Sequence, residues 1–149
     1  DWIQGNIAYV RGCTDSQTTA CDTIIERSGV CRDFAHLGIA LCRALNVPSR
    51  YFTGYAYQLT PPDFHACFEC YIGGRWFLFD PTGLAHMNGM VRIGAGRDAA
   101  DVSVASIFGR AACKQSLVEC RLAPGQRFRP LRYRSPRRRG VSPASGGAG

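Results

Sequence analysis

The chain turns into a helix at residues 29–37, which read Gly-Val-Cys-Arg-Asp-Phe-Ala-His-Leu. From there, apolar side chains recur at helical intervals and predict a helix from Val30 or Cys31 to about Leu45. Backbone N–H groups in the first turn of a helix have no partner within the helix, and with the helix dipole they favour a thiolate over a thiol. Cys31 is therefore a candidate nucleophile, although free cysteines are more commonly small buried residues.

Two more helices are predicted before this one, and strands after it. The first helix would run from Trp2 to Val10, and the second over 20–27 with Thr18 or Thr19 as its cap. Aromatic and β-branched residues predict strands over the ranges 50–57, 65–72, 75–80, 91–93 and 117–122, with Gly54 as a bulge or a close-approach point. Helices followed by strands predict an α+β domain, with the N-terminal helices packed on an antiparallel sheet.

Gly73-Gly74 has the length and composition of a tight hairpin turn between the strands 65–72 and 75–80. If these two glycines form the loop, His65 and Asp80 lie on the same face of the hairpin as diagonal neighbours. A carboxylate bonded to one ring nitrogen of a histidine leaves the other nitrogen free as a base. A helix covering this sheet would bring Cys31 to the pair, which is the arrangement of Cys-His-Asp acyl transfer.

Each of these residues also has an ordinary structural interpretation. His65 alone could be a partly buried histidine, and Asp80 could simply end a strand before Pro81. The other candidates are weaker: His36 is expected to be a packing or surface residue, and His86 has no evident carboxylate partner. Asp33 suits the first turn of a helix, and Glu69 is either a group behind the site or an exposed acid.

The net charge of +7 is concentrated in the C-terminal segment. Residues 1–120 carry a net charge of −1, whereas the rest of the chain has eight arginines and no acid. We expect a domain over 1–122 and a basic, Pro/Gly/Ser-rich, disordered tail over 123–149. Aromatic and aliphatic residues between the arginines of 127–139 leave nucleic-acid binding as an alternative, but a solvated tail is the favoured interpretation.

The eight cysteines are interpreted mostly as small buried thiols in a reducing, cytoplasmic compartment. Cys67 and Cys70 have the spacing of a zinc knuckle, but positions three apart on a strand face opposite sides and could not share one ion. No apolar run is long enough to span a membrane. The first residues, Asp1-Trp2-Ile3-Gln4, read as if the chain began inside a helix, and we expect the natural N-terminus to be missing.

Three blocks of the sequence resemble the catalytic motifs of the bacterial transglutaminase-like superfamily: 29–37, 63–71 and 76–82. The stretch 91–102 is similar to the strand and loop that follow these motifs in many members. The resemblance implies a papain-like core with Cys31 as nucleophile, His65 as general base and acid, and Asp80 as the orienting residue. This chain departs from the family in having Cys67 where most members have Trp, and in starting after the N-terminal β-rich domain that bacterial members often carry.

The resemblance implies that a thioester forms from a peptide or amide and is passed to water or to an amine. Water is the default acceptor unless a groove excludes it, so we expect a cysteine peptidase or amidase acting on a peptide or protein substrate. Two alternatives stay open, a protein-glutamine transglutaminase and a non-catalytic binding module. No metal or organic cofactor is expected. The sequence does not define the oligomeric state.

Overall fold

The computed structural model describes residues 1–131, so the predicted tail lies outside the described residues from 132 onward. The helices are α1 (Trp2–Asn6), α2 (Ala20–Glu26) and α3 (Cys31–Ala44), with a 3-10 turn at Met87–Gly89. The strands are β1 (Ala8–Tyr9), β2 (Ser28–Gly29), β3 (Ser49–Ala56), β4 (Phe64–Ile72), β5 (Arg75–Phe79) and β6 (Met90–Gly96). The α+β prediction is confirmed.

The main sheet has the strand order β5-β4-β3-β6, and all its neighbours are antiparallel. Helix α3 packs against β3 and β4, because the apolar stripe predicted from the sequence faces the sheet. Ala35 and Ile39 of the helix share a core with Tyr51, Ala66 and Phe68 of the strands. The helix that begins at Cys31 is thereby fixed against the strand that begins beside His65.

The hairpin of β4 and β5 has the predicted register. Both turn glycines have positive φ, 58° at Gly73 and 85° at Gly74, a conformation that other residues adopt only under strain. The strand pairs run from Ile72 opposite Arg75 to Phe68 opposite Phe79. A slip of one residue would have turned every side chain to the other face, so this register decides which groups meet at the open end of the hairpin.

The first helix is shorter than predicted, and the prediction that it reaches Val10 is wrong. Helix α1 ends at Asn6, and Ala8 and Tyr9 pair in parallel with Ser28 and Gly29. The backbone N–H of Val10 donates to the carbonyl of Gly29 at 2.9 Å. Because such a strand partner comes from a distant part of the chain, the local helical spacing could not reveal it.

The prediction for Gly54 on β3 and the predicted strand at 117–122 have different outcomes. The register of β3 against β6 shifts at Gly54, where an added Cβ would lie 2.4 Å from the carbonyl oxygen of Val91. Gly54 is therefore a close-approach point, as predicted, and it lies beside a bulge whose extra residue, Ile93, belongs to β6. Within the described part of the chain, residues 117–122 form no strand, although Val118 is buried.

The expectation that most cysteines are buried is wrong. All eight are free thiols, and only Cys67 and Cys70 are buried.

The described residues after 122 contact the surface of the domain. Phe128 packs edge-on against Tyr57, with 4.9 Å between ring centroids, and Asn88 donates to the carbonyl of Arg129 at 2.8 Å. Among residues 1–131, no helix has the length and apolar character required to cross a membrane.

Candidate active site

A cleft of about 580 Å³ opens between the start of α3 and the start of β4. Cys31 and His65 both line it, together with Tyr51 of β3. A loop that follows β6, residues 99–105, supplies much of the opposite wall. Asp80, which directly follows β5, is behind His65 rather than in the cleft lining.

The turn that leads into Cys31 is held by Asp33. The carboxylate of Asp33 accepts a hydrogen bond from the backbone N–H of Val30 at 2.8 Å and another from the Thr14 hydroxyl at 2.5 Å. Arg32 donates to the other carboxylate oxygen at 3.0 Å. Since Asp33 is only 1% exposed, these contacts fix the first turn of α3. The predicted first-turn role of Asp33 is confirmed, and the same contacts position Cys31.

His65 and Asp80 meet at the open end of the hairpin, as the register predicts. Their Nε2 and Oδ2 atoms are 3.1 Å apart, and the two side chains are 1% and 2% exposed. The separation is that of a hydrogen bond, but the ring N–H is not aligned with the carboxylate. The contact is therefore a close charge pair. Because Nε2 faces Asp80, Nδ1 is the ring nitrogen that is left for the Cys31 thiol, which also contacts His65.

Asp80 is itself held by the loop that follows it. One carboxylate oxygen accepts from the backbone N–H and the hydroxyl of Thr82, at 2.9 and 2.6 Å, and the other accepts from the N–H of Ala85 at 2.8 Å. Sequence reasoning did not assign these roles. The signal was present in Asp80-Pro81-Thr82, because an aspartate in a turn commonly accepts from the N–H two residues later.

The pKa values of His65 and Asp80 are shifted in opposite directions. Burial alone would raise the pKa of Asp80, but its contacts with His65, Thr82 and Ala85 outweigh burial and hold that pKa below the ordinary value. Burial alone would lower the pKa of His65, but Asp80, followed by the thiols of Cys31 and Cys67, raises it well above the ordinary value. The surroundings therefore favour an imidazolium beside a carboxylate.

Tyr9 is a site residue that sequence reasoning missed, because it was assigned to the first helix. Its ring packs on Phe34, with 5.8 Å between centroids, and its hydroxyl faces both the backbone N–H and the thiol of Cys31. Burial and the neighbouring Cys31 raise the pKa of this phenol. Pairing of β1 with β2 brings Tyr9 to the cleft, and nothing in the local sequence could have indicated this.

The remaining candidates lie outside the Cys31, His65 and Asp80 group. Glu69 is buried, and it binds Arg50 at 2.6 Å and also contacts Arg92. It is therefore a structural ion-pair residue rather than an exposed acid.

The two other histidines are packing residues. His36 packs on Tyr51 with 5.0 Å between centroids, and its Nε2 accepts from the N–H of Ala99 at 3.2 Å. His86 is exposed, and its ring lies tilted against that of Phe128, with 5.7 Å between centroids.

The chain is similar to proteins of one known family. Residues 1–81 match the family model of the transglutaminase-like superfamily, a range that includes Cys31, His65 and Asp80. A crystal structure of a Cytophaga hutchinsonii protein, provisionally called a cysteine protease, is 62% identical and superposes with a TM-score of 0.86 over 90% of this chain and 46% of that one.

Curated relatives come from mycobacteria and are uncharacterized. A protein of Mycobacterium leprae is 30% identical over 111 residues, which cover 68% of this chain and 39% of its own length. A protein of Mycobacterium tuberculosis is 34% identical over 116 residues, covering 67% of this chain and 37% of its own. The chain thus spans about two fifths of the length of the curated relatives it matches.

Proposed function

The chain belongs to the transglutaminase-like superfamily, and on this basis we propose that it is a cysteine-dependent hydrolase of peptide or amide bonds. Family membership and the likeness to the Cytophaga protein support a cysteine-dependent catalytic role. The observation that carries the specific proposal is the buried pair of His65 and Asp80, 3.1 Å apart, beside a cleft that also contains Cys31.

Cys31 is proposed as the nucleophile. It is the first residue of α3, where free backbone N–H groups and the helix dipole stabilise negative charge on sulfur. His65 contacts the thiol and would accept its proton. Asp80, fixed by Thr82 and Ala85, would hold the ring orientation and stabilise the imidazolium.

The reaction would proceed in two balanced steps. Sγ of Cys31 attacks the carbonyl carbon, the C–N bond breaks, and His65 gives its proton to the departing amine. Water then attacks the thioester carbon as His65 accepts a proton from it, the C–S bond breaks, and the acid and the free thiol are released. The backbone N–H of Cys31 and the hydroxyl of Tyr9, which lie next to each other, would donate to the oxyanion of each step.

Water is the proposed acyl acceptor because the cleft is open to solvent along the loop 99–105. Most residues of that loop that line the cleft are small or apolar, and a protein amine acceptor would need a second binding groove.

The test is intact-mass detection of an acyl adduct on the protein, using a panel of peptide amides with and without a primary amine. We expect a thioester adduct on the wild type, released as free acid, that is absent from Cys31→Ala and present in Cys13→Ala, whose thiol is exposed and distant in sequence. Transfer to the amine in preference to water would identify a transglutaminase instead. An adduct that persists in Cys31→Ala, or none with any amide, would refute the proposal.

A further inference from the structure

A second thiol lies beside the proposed catalytic pair. Cys67 is two residues after His65 on β4, on the same face, and it is completely buried. The hairpin register brings it next to Asp80, at the point where the ladder ends after Phe79. Cys67 has no role in the proposed reaction. A thiol here therefore gives this chain a group that the catalytic scheme does not need.

The three side chains together have the composition and spacing of a metal site. One donor atom from each of His65, Cys67 and Asp80 lies within 4.8 Å of the other two. In a tetrahedral zinc site, with ligand bonds of about 2.0–2.3 Å, neighbouring donors are about 3.4–3.7 Å apart. Nε2 of His65 and Oδ2 of Asp80 are already 3.1 Å apart, so small side-chain rotations suffice to surround an ion.

A second observation points to a ligand at this place. Nε2 of His65 is buried, and it has no aligned hydrogen-bond partner among the described residues, although it faces Asp80. His65 as a whole is 2% exposed. Buried polar atoms normally have such a partner, and a metal ion bound beside the Asp80 carboxylate would give Nε2 one.

We propose that His65, Cys67 and Asp80 form a Zn²⁺ site whose occupancy switches off the reaction at Cys31. A donor set that includes an imidazole and a soft thiolate suits zinc rather than magnesium or calcium. Binding releases the Cys67 thiol proton and the proton on Nε2 to solvent. The bound ion with one thiolate, one carboxylate and a neutral ring carries no net charge, which favours a buried site.

Inhibition follows from the geometry, and this part rests on the proposed function. Zinc on Nε2 takes the place of the proton that the ring shares with Asp80, so the neutral ring keeps its remaining proton on Nδ1. That nitrogen can then no longer accept a proton from Cys31 or from water. A chelator that removes the ion restores the original contact, so the inhibition is reversible.

The test measures Zn²⁺ binding to the full, phosphine-reduced chain by calorimetry and native mass spectrometry, with Co²⁺ as an absorption probe. We expect one Zn²⁺ per chain and a thiolate-to-cobalt charge-transfer band. Cys67→Ala and the size-conserving Cys67→Ser should each weaken Zn²⁺ binding at least tenfold and abolish the band. Cys70→Ala is the matched control, since Cys70 is equally buried on β4 but belongs outside the cluster, and it should retain both.

Activity supplies an independent readout. Zinc should inhibit amide hydrolysis by the wild type and by Cys70→Ala, with recovery on chelation, and should have at least a tenfold weaker effect on Cys67→Ala relative to that variant's own rate. The proposal is overturned if Cys67→Ala binds as the wild type does, if the wild type binds no stoichiometric zinc, or if Cys31→Ala loses binding. A chain that binds zinc through Cys67 but hydrolyses nothing would refute only the proposed function.

Discussion

The ring of Phe68 on β4 lies directly against the backbone of Gly38 on α3, where an added Cβ would be 2.5 Å from the ring carbon Cε1. Helix and sheet can approach this closely only because Gly38 has no side chain. Gly38→Ala should therefore destabilise the fold by about 1–3 kcal/mol, since overpacking outweighs the gain of about 1 kcal/mol in helix propensity. Urea unfolding measures this difference.

The control for that substitution is the same chemical change at another helical glycine. Gly5 of α1 has no atom within 4 Å of an added Cβ, so Gly5→Ala should leave stability unchanged or raise it by up to about 1 kcal/mol. Equal effects of the two substitutions would contradict the packing argument at Gly38.

Selective alkylation tests the reactivity of Cys31. We expect an iodoacetamide reagent to modify Cys31 before the other seven thiols near neutral pH, because the helix N-terminus and His65 support the thiolate there. Cys13, Cys21 and Cys113 are more exposed, which makes them internal standards for accessibility alone. His65→Ala should slow the modification of Cys31 and leave the three standards unchanged. Peptide mapping by mass spectrometry resolves each site, and modification in the order of exposure would contradict the prediction.

Removal of the hydroxyl of Tyr9 should slow the reaction without unfolding the site. Tyr9→Phe keeps the ring that packs on Phe34 and deletes the donor beside Cys31. Loss of one oxyanion donor costs on the order of 100-fold in kcat, and we expect a smaller change in KM. Tyr55→Phe, which packs on Phe64 at 5.6 Å, serves as the control and should keep its activity. Steady-state kinetics on a peptide amide decide between these outcomes.

Removal of the Asp33 carboxylate should affect both stability and activity. Asp33→Ala leaves the N–H of Val30 and the side chains of Thr14 and Arg32 without their partner, at a cost of about 2–4 kcal/mol. Because these contacts set the turn before Cys31, kcat should fall even where the variant is fully folded. Asp22→Ala, which removes the exposed carboxylate that accepts from the backbone N–H of the Thr19 cap of α2, should leave kcat as it is. Circular dichroism and kinetics at low temperature separate the two effects.

The lowered pKa of His36 predicts that the folded protein loses stability in acid. Burial lowers its pKa, with Asp33 and Asp98 opposing this and Arg32 and Arg43 adding to it. The unfolded chain therefore binds a proton at higher pH than the folded one.

The direction of the pH effect on stability follows from the lower pKa of His36 in the folded state. Stability attributable to His36 is present above its unfolded pKa of about 6.5 and is lost as pH falls through the lower folded value. Protonation also takes the lone pair that accepts the N–H of Ala99, so the loop 99–105 should loosen. We expect the stability difference between wild type and His36→Gln to shrink between about pH 7.5 and 5. Denaturant unfolding of both proteins at each pH measures this difference.

Local sequence predicted the elements whose causes are local. The capping box of helix α2 is formed by Thr19 and Asp22, three residues apart. Gly73 and Gly74 fix the hairpin turn and its register, and the register brings His65 and Asp80 together. Helix α3 was found because its apolar stripe repeats with the helical period. In each case the decisive residues are neighbours in sequence or one turn apart.

Features that depend on distant partners could not be predicted in this way. Tyr9 reaches Cys31 only because β1 pairs with β2, and no period within residues 2–10 indicates that pairing. Residues 117–122 alternate as a strand would, but no edge of the sheet receives them in the described part of the chain. The exposure of Cys13 and Cys21 likewise depends on which faces the rest of the fold covers.

The hairpin has a consequence for the order in which the site can be assembled. His65 and Asp80 belong to two strands joined by a two-residue turn, so their meeting costs little loop-closure entropy. Cys31 forms part of a helix that must dock through Gly38 and Phe68 before its thiol reaches the pair. A compact chain with native secondary structure but loose side-chain packing would contain the histidine–aspartate pair and still lack the Cys31 thiol beside it. Reactivity at Cys31 would thus report on the completion of folding.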